Sequence, residues 1–147
     1  MPIPMLKDLI KEQPSTYKRV AGVVVKSEGK VLLVRRAENA GRYPNFWAVP
    51  MGGVEPGEKF KQAAHREFKE ETMLDIDINS LVYLDMLKDG IYKRVLALFT
   101  IELPNQPEPT LDHEHSDWGY FNPKYLPTPI QDDLRYTLEL KIWAWIN

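Results

Sequence analysis

The sequence predicts an α/β (α+β) fold in which a mixed β-sheet is packed between helices. Two pairs of β-branched segments are each joined by a short turn, which is typical of β-hairpins. Apolar residues also recur at helical spacing in a central segment and in a C-terminal segment. Because the strands have few helices between them, a mixed sheet is favoured over a fully parallel one.

The N-terminal half is predicted to contain one helix and three strands. Apolar residues at helical spacing before Pro14 predict a short amphipathic helix over residues 5–12, within an N-terminal extension of residues 1–16. The expected role of this helix is packing or a homodimer contact. Residues 27–30 form the turn of the first hairpin. The predicted strands of this half are residues 18–26, 31–36 and 46–49.

The C-terminal half is predicted to contain a second hairpin, an edge strand, a last strand and a closing helix. Residues 75–79 begin like a calcium-binding EF-hand loop, but Ser80 and Met86 replace the glycine and glutamate that such a loop needs. An edge strand is therefore predicted there. Asp89-Gly90 is the turn of the second hairpin. The other predicted elements are strands over residues 81–88, 91–103 and 115–121, and a closing helix over residues 130–146 with Leu134, Leu138, Ile142 and Trp145 on one stripe.

The composition is that of one compact domain over residues 1–147. The chain has 147 residues, of which 44% are hydrophobic, and its formal net charge at pH 7 is -2. The chain thus has no basic excess, which disfavours a long nucleic acid or an anionic membrane as partner. Cysteine is absent, and no apolar run approaches the roughly 20 residues that span a bilayer. A cytoplasmic location is expected.

The central predicted helix, residues 59–73, carries its charges in an unusual arrangement. A helical wheel places Glu67 and Glu71 in the middle of its apolar face and Glu70 at the edge of that face. A carboxylate turned toward a core must be paired or must bind a cation. Carboxylates at positions i, i+3 and i+4 therefore favour a divalent cation with oxygen ligands, Mg²⁺ or Mn²⁺, over a solvated acidic stripe.

The loop before this helix, Gly52 to Glu58, runs into the helix N-terminus, where backbone N–H groups can face phosphate. Its glycine spacing matches a P-loop, but Glu58-Lys59 replaces the required Lys-Ser/Thr, which excludes that motif. Glu58 instead adds a fourth carboxylate. Arg66 is better placed on the wheel to orient a neighbouring carboxylate than to face a metal ion.

The segment from Gly52 to Leu74 resembles the signature of the Nudix hydrolases, G-x5-E-x7-R-E-U-x-E-E-x-G-U, in which U is a bulky apolar residue. Six of the seven fixed letters match. Met73 replaces the last glycine, which in the family closes the helix in a left-handed turn, so the helix end is expected to differ. Phe68 is aromatic where an aliphatic residue is usual. The resemblance implies the family's α/β/α sandwich.

The same resemblance implies a pyrophosphohydrolase, in which water attacks phosphorus in a nucleoside diphosphate linked to another group. It implies Mg²⁺ as the cofactor, with Mn²⁺ as the alternative, because a divalent cation neutralises charge on phosphate oxygens. Arg66 would orient the acidic residues, and Glu58 would act as a further ligand or base. The implied metal ligands are Glu67, Glu70, Glu71 and the backbone at Gly52. Glu70 is also assigned a catalytic role.

The general base is not fixed by the signature, and in this family it often comes from a later loop. Glu114, just before the last predicted strand, is the candidate for this base or for an outer metal ligand, and a surface position is the alternative. His113 and His115 have the i, i+2 spacing of a zinc pair on a strand, but hard oxygen ligands already dominate the site. His65 is predicted to be solvated on the polar face of the helix.

Substrate-binding residues are predicted by residue type rather than by motif. Arg35 and Arg42, together with Arg36, can bind phosphates bidentately, and salt bridges are the alternative for each. Tyr17 and Phe46 are candidates for stacking a base, with core packing as the alternative. The expected ligand is a small nucleotide, such as a nucleotide sugar, ADP-ribose or a modified nucleotide. A non-catalytic nucleotide-sensing domain is the alternative function.

Overall fold

The computed structural model describes residues 17–142, which form a seven-stranded sheet with helices on its two faces. The helices are α1 (Phe60–Thr72) and α2 (Asp132–Thr137), and a π-helical turn (Leu138–Ile142) continues α2. The strands are β1 (Lys18–Ser27), β2 (Lys30–Arg36), β3 (Trp47–Ala48), β4 (Met51–Gly53), β5 (Val82–Asp89), β6 (Arg94–Glu102) and β7 (His115–Phe121).

Strand β1 lies at the centre of the sheet because it pairs along both of its edges. The strand order is β3-β2-β1-β6-β5, with β4 added to β1 and β7 added to β2. Strands β1 and β6 are parallel from the Lys18–Arg94 pair to the Lys26–Glu102 pair. The other strand pairs are antiparallel. The mixed sheet that the sequence predicts is thus confirmed.

One edge of β1 is shared by two strands, so the sheet forks. The C-terminal end of β1 pairs with β2 through Lys26 and Ser27, whereas its N-terminal half pairs with β4 through residues 20–22. Beyond Val31, β2 pairs with β3 instead of β1, while β7 pairs with β2 from Val31 to Arg36. The segment of residues 47–53 therefore fills the fork, because it pairs first with β2 and then with β1.

Helices cover both faces of the sheet, which gives the α/β/α sandwich. Val23, Val24 and Val25 are fully buried, as expected for a strand that is covered on both faces. On one face, α1 contributes Ala63, Ala64 and Phe68 to the core; on the other, α2 and the π-helical turn contribute Leu134, Leu138 and Ile142.

Both hairpins and the last strand are confirmed, whereas three local predictions are wrong. Residues 75–79 do not form an edge strand, because the Asp77 side chain accepts a hydrogen bond from the Asn79 N–H at 2.9 Å and begins a short 3₁₀ turn. The predicted loop over residues 52–58 starts two residues late in the structure, because Met51–Gly53 pairs with β1 as β4. The closing helix becomes π-helical from Leu138.

The predicted helix over residues 5–12, the predicted position of Trp145 and the N-terminal extension lie outside the described residues. The homodimer contact that was expected of that helix stays a prediction. Within residues 17–142, the structure contains no helix that is long and apolar enough to span a membrane.

Helix α1 ends at Met73, whose backbone adopts the left-handed conformation with φ of 61°. Its N–H donates to the Lys69 carbonyl at 2.9 Å, as in a glycine-terminated helix. The expectation of a different helix end is therefore wrong: the chain adopts the turn of the family although its residue is methionine. A side chain in this region is strained by its Cβ, and Met73 is 58% exposed.

Met73→Gly is expected to raise the free energy of unfolding by about 0.5 to 1 kcal/mol, because removal of the Cβ strain outweighs the greater freedom of glycine in the unfolded chain. Urea unfolding followed by circular dichroism measures the change. Met73→Ala keeps the Cβ and should give no such gain. A lower stability of Met73→Gly would contradict the strain.

Candidate active site

The three glutamates of helix α1 differ in how deeply they are buried, as the helical wheel predicts. Glu71 is 2% exposed and lies in the core beside Phe68 on the same helix face, whereas the Glu70 side chain is 55% exposed. Glu67 lies between these extremes, with 17% of its side chain exposed. Burial raises the pKa of Glu67 more than its ion pair with Arg66 lowers it.

Arg66 binds the loop before α1 and the helix itself through one guanidinium group. Its Nε and Nη2 donate to the two carboxylate oxygens of Glu58, both at 2.9 Å, and Nη2 also donates to the Gly53 carbonyl at 2.9 Å. Its Nη1 donates to Glu67 at 2.7 Å and to Glu70 at 3.4 Å. The two bonds from Arg66 to Glu58 hold the pKa of the Glu58 carboxylate at about 2, which makes it a weak base.

Gly52 lies directly against the Glu67 side chain. A Cβ at this position would overlap the carboxylate carbon and one oxygen of Glu67. The adjacent Gly53 has open space where a Cβ would be. The first glycine of the signature is thus required here by the close approach of a carboxylate to β4.

The charge of Glu71 is compensated only in part, through a backbone hydrogen bond with Met51. His115 Nε2 lies 3.5 Å from Glu71 Oε1, and His115 Nδ1 lies 2.8 Å from Asp112. Among residues 17–142, Glu71 Oε2 has no hydrogen-bond partner. Burial, followed by repulsion from Glu67, Asp112 and Glu114, raises the pKa of Glu71 to about 9.

These residues fit a divalent cation. Ligand atoms of Glu71, Asp112 and His115 lie within 4.8 Å of one another. The unpartnered Glu71 oxygen and the neighbouring acids form a donor set that is rich in hard oxygen atoms, as Mg²⁺ and Mn²⁺ require. The zinc hypothesis loses its geometric basis, because β7 begins at His115 and His113 precedes the strand.

A cavity of about 410 Å³ is lined by both acidic and basic side chains. The acidic side chains are Glu67 and Glu114, and Gly52 and His113 also line the cavity. The basic side chains, which we call the basic wall, are Lys18, Arg19, Arg36, Arg42 and Arg94. Anion-binding groups thus share a cavity with Glu67, a carboxylate of the signature.

Three of the predicted substrate-binding residues do not line this cavity. Arg35 Nε donates to the Asn45 carbonyl at 3.3 Å, and the Tyr17 ring lies 5.0 Å from Lys88 Nζ. Phe46 packs on Tyr43, with 5.2 Å between ring centroids. Arg42 does line the cavity. His65, predicted to be solvated, is half-buried and lies 2.8 Å from the Ile76 carbonyl.

The sequence did not single out Lys18, Arg19, Arg94 or Asp112, and His115 was considered there only as one of a zinc pair with His113. Arg94 reaches the cavity because β6 pairs in parallel with β1, which places it opposite Lys18. A local sequence motif does not reveal the pairing of two strands that are far apart in the chain. His115 directly follows Glu114, the candidate base, and this adjacency is the sequence feature that could have identified His115 as a site residue.

In the metal-free protein, the free energy of unfolding is expected to fall as the pH rises from about 4.5 to about 9. The reason is that Glu71 retains its proton when folded but loses it when unfolded. Glu71→Gln should lessen this decline and raise the free energy of unfolding at pH 8 by about 1 to 3 kcal/mol. Urea unfolding in EDTA at pH 5.5 and pH 8 measures both effects.

The matched control is Glu70→Gln, whose side chain is largely exposed and which should not give the gain in stability at pH 8 that is expected of Glu71→Gln. A Glu71→Gln protein that is less stable than the wild type at pH 8 would show that the buried carboxylate is compensated.

Comparisons with known proteins agree with the geometry. The NUDIX domain family matches residues 16–140. The nucleoside triphosphatase NudI of Escherichia coli K12 is 32% identical over 135 residues, which cover 80% of this chain and 92% of NudI.

Two solved structures share the fold. A MutT NUDIX hydrolase from Burkholderia pseudomallei superimposes with a TM-score of 0.73 at 22% identity, covering 84% of this chain and 97% of that one. The NUDIX domain of Shewanella oneidensis NrtR, crystallised with ADP ribose, gives a TM-score of 0.73 at 18% identity, covering 97% of this chain and 99% of that one. Because the family matches residues 16–140, which are most of this chain, the chain belongs to the Nudix hydrolases and is a pyrophosphohydrolase.

Proposed function

We propose that the protein hydrolyses the diphosphate bond of a nucleoside diphosphate derivative with Mg²⁺, or Mn²⁺ in its place. The observation that carries this proposal is that Glu67 and Glu114 line the same cavity as the five side chains of the basic wall. The relative named nucleoside triphosphatase supports a nucleoside triphosphate as the first substrate to test. Hydrolysis between its α- and β-phosphates would release a nucleoside monophosphate and pyrophosphate.

Glu67, Glu70 and Glu71 would hold the metal ion, together with the backbone at Gly52. When bound, the cation would neutralise phosphate oxygens and lower the pKa of a bound water molecule. Arg66 fixes the Glu67 carboxylate through its 2.7 Å hydrogen bond. In this proposal Glu58 anchors Arg66 rather than accepting a proton, because both of its oxygens are engaged.

Glu114 is the proposed general base. It lines the cavity beside Glu67, and a carboxylate there can accept the proton of a water molecule as that water attacks phosphorus. The bond from phosphorus to the bridging oxygen then breaks, and the leaving group departs as a phosphorylated product. The basic wall would hold the charged oxygens of the substrate.

The proposal is tested by incubating the protein with nucleoside triphosphates, nucleotide sugars and ADP-ribose, with Mg²⁺ or EDTA, and resolving the products by chromatography. Mg²⁺-dependent release of a nucleoside monophosphate is expected. Glu67→Gln and Glu71→Gln should each lower kcat/KM by at least about 100-fold. Glu28→Gln, in the exposed turn between β1 and β2, is the control and should be fully active.

Turnover that survives both glutamate substitutions would disprove this assignment of the site. Binding of a nucleotide without hydrolysis of any member of the panel would favour the alternative, a nucleotide-sensing domain.

Gly52→Ala is expected to lower kcat/KM by about 100-fold, because its Cβ would displace the Glu67 carboxylate by about 1 Å or more. The melting temperature should change little, since Gly52 has an ordinary strand conformation and the Glu67 side chain can rotate. Gly53→Ala is the matched control, because its Cβ would enter open space. Equal activities of the two variants would contradict the role of this close approach.

A further inference from the structure

Three arginines of the basic wall converge from separate parts of the chain. Arg36 ends β2, Arg42 lies in the following loop, and Arg94 begins β6. Arg36 Nε donates to the Arg42 carbonyl at 2.7 Å, which ties the loop to the strand. All three side chains line the same cavity. We call them the arginine cluster.

The cluster is electrostatically unfavourable without a ligand. The pKa of Arg36 is lowered first by burial and then by the positive charges of Arg42 and Arg94, although Glu71 and Glu114 act in the opposite direction. Arg94 forms an ion pair with Asp89 at 3.2 Å. Within the described part of the chain, no ion pair is formed by Arg36 or Arg42, so two guanidinium charges of the cluster remain without one.

Hydrogen-bond donors of the cluster are also unused. Arg94 is only 8% exposed, and its Nε is buried without a partner among residues 17–142. The Nε of Arg42 is buried and unpartnered in the same way. A buried charged donor without an acceptor costs about 1 to 3 kcal/mol or more, so these atoms add to the unfavourable energy of the cluster when no counter-charge is bound.

Arg94 is also held rigidly in place. The Tyr43 hydroxyl donates to Asp89 Oδ2 at 3.1 Å, and the same oxygen accepts from Arg94. The Arg94 guanidinium carbon lies 5.9 Å from the centre of the Tyr43 ring. The side chain is thus fixed by a carboxylate and a ring, which lowers the entropy cost of binding an anion.

We infer that the arginine cluster binds the terminal phosphates of a nucleoside triphosphate and selects this substrate over a nucleotide whose diphosphate ends in an uncharged sugar. This inference rests on the proposed function and specifies the substrate class. Planar guanidinium groups match phosphate oxygens in bidentate geometry, and a free terminal phosphate carries more charge than a phosphodiester. An uncharged sugar would leave the cluster without a counter-charge.

Binding is tested without catalysis, by isothermal titration calorimetry of the full chain with inorganic tripolyphosphate in EDTA. The wild type should bind one tripolyphosphate, and Arg42→Gln should weaken binding by about 10- to 100-fold. Arg94→Lys is the second variant, because it keeps a positive charge beside Asp89 and so protects folding. Lys30→Gln removes one charge from the exposed first residue of β2 and should bind as the wild type does.

Substrate selection is tested with the same variants in the hydrolysis assay. Arg42→Gln should lower kcat/KM for a nucleoside triphosphate by about 10- to 100-fold and lower kcat/KM for a nucleotide sugar by a clearly smaller factor. Equal losses for both substrates, or tripolyphosphate binding that does not depend on Arg42 and Arg94, would overturn the inference while leaving the proposed function intact. Arginine-dependent binding with no hydrolysis of any nucleotide would overturn the proposed function instead.

Discussion

The guanidinium group of Arg66 is the interaction on which the rest of the site depends. It joins Glu58 and Gly53, which precede α1, to Glu67 on the helix. Without it, the Glu67 carboxylate would lie against Gly52 with only like charges nearby. Because one planar group supplies donors in three directions, the loop, the strand β4 and the first turns of α1 are held in one fixed arrangement.

The position of Glu71 is a second constraint, and it opposes folding. A carboxylate in the core with an unpartnered oxygen destabilises the metal-free protein, and a bound cation would offset that cost. The arginine cluster carries the opposite charge and is destabilising for the same reason, because its buried donors lack an acceptor. The enzyme therefore has an acidic group of side chains around Glu71 and a basic group in the arginine cluster, and each is incomplete alone.

Much of this arrangement could be predicted from the sequence, and the rest could not for definite physical reasons. The depth of Glu67 and Glu71 and the orienting contacts of Arg66 follow from helical periodicity, which is a local property. Hairpins follow from turn residues in the same way. Arg94 and Asp112 could not be found, because their place depends on which strands pair at long range. The left-handed end of α1 was missed because a global fold can impose a strained conformation on Met73.

The forked sheet determines how this cavity is built. Residues 47–53 occupy the fork by hydrogen-bonding first to β2 and then to β1, so these two strands are kept apart where Arg36 and Lys18 line the cavity. Backbone hydrogen bonds, rather than flexible side chains, thus hold part of the binding site open. A nucleotide entering it would not have to separate paired strands, and its binding energy would be available for orienting the phosphates.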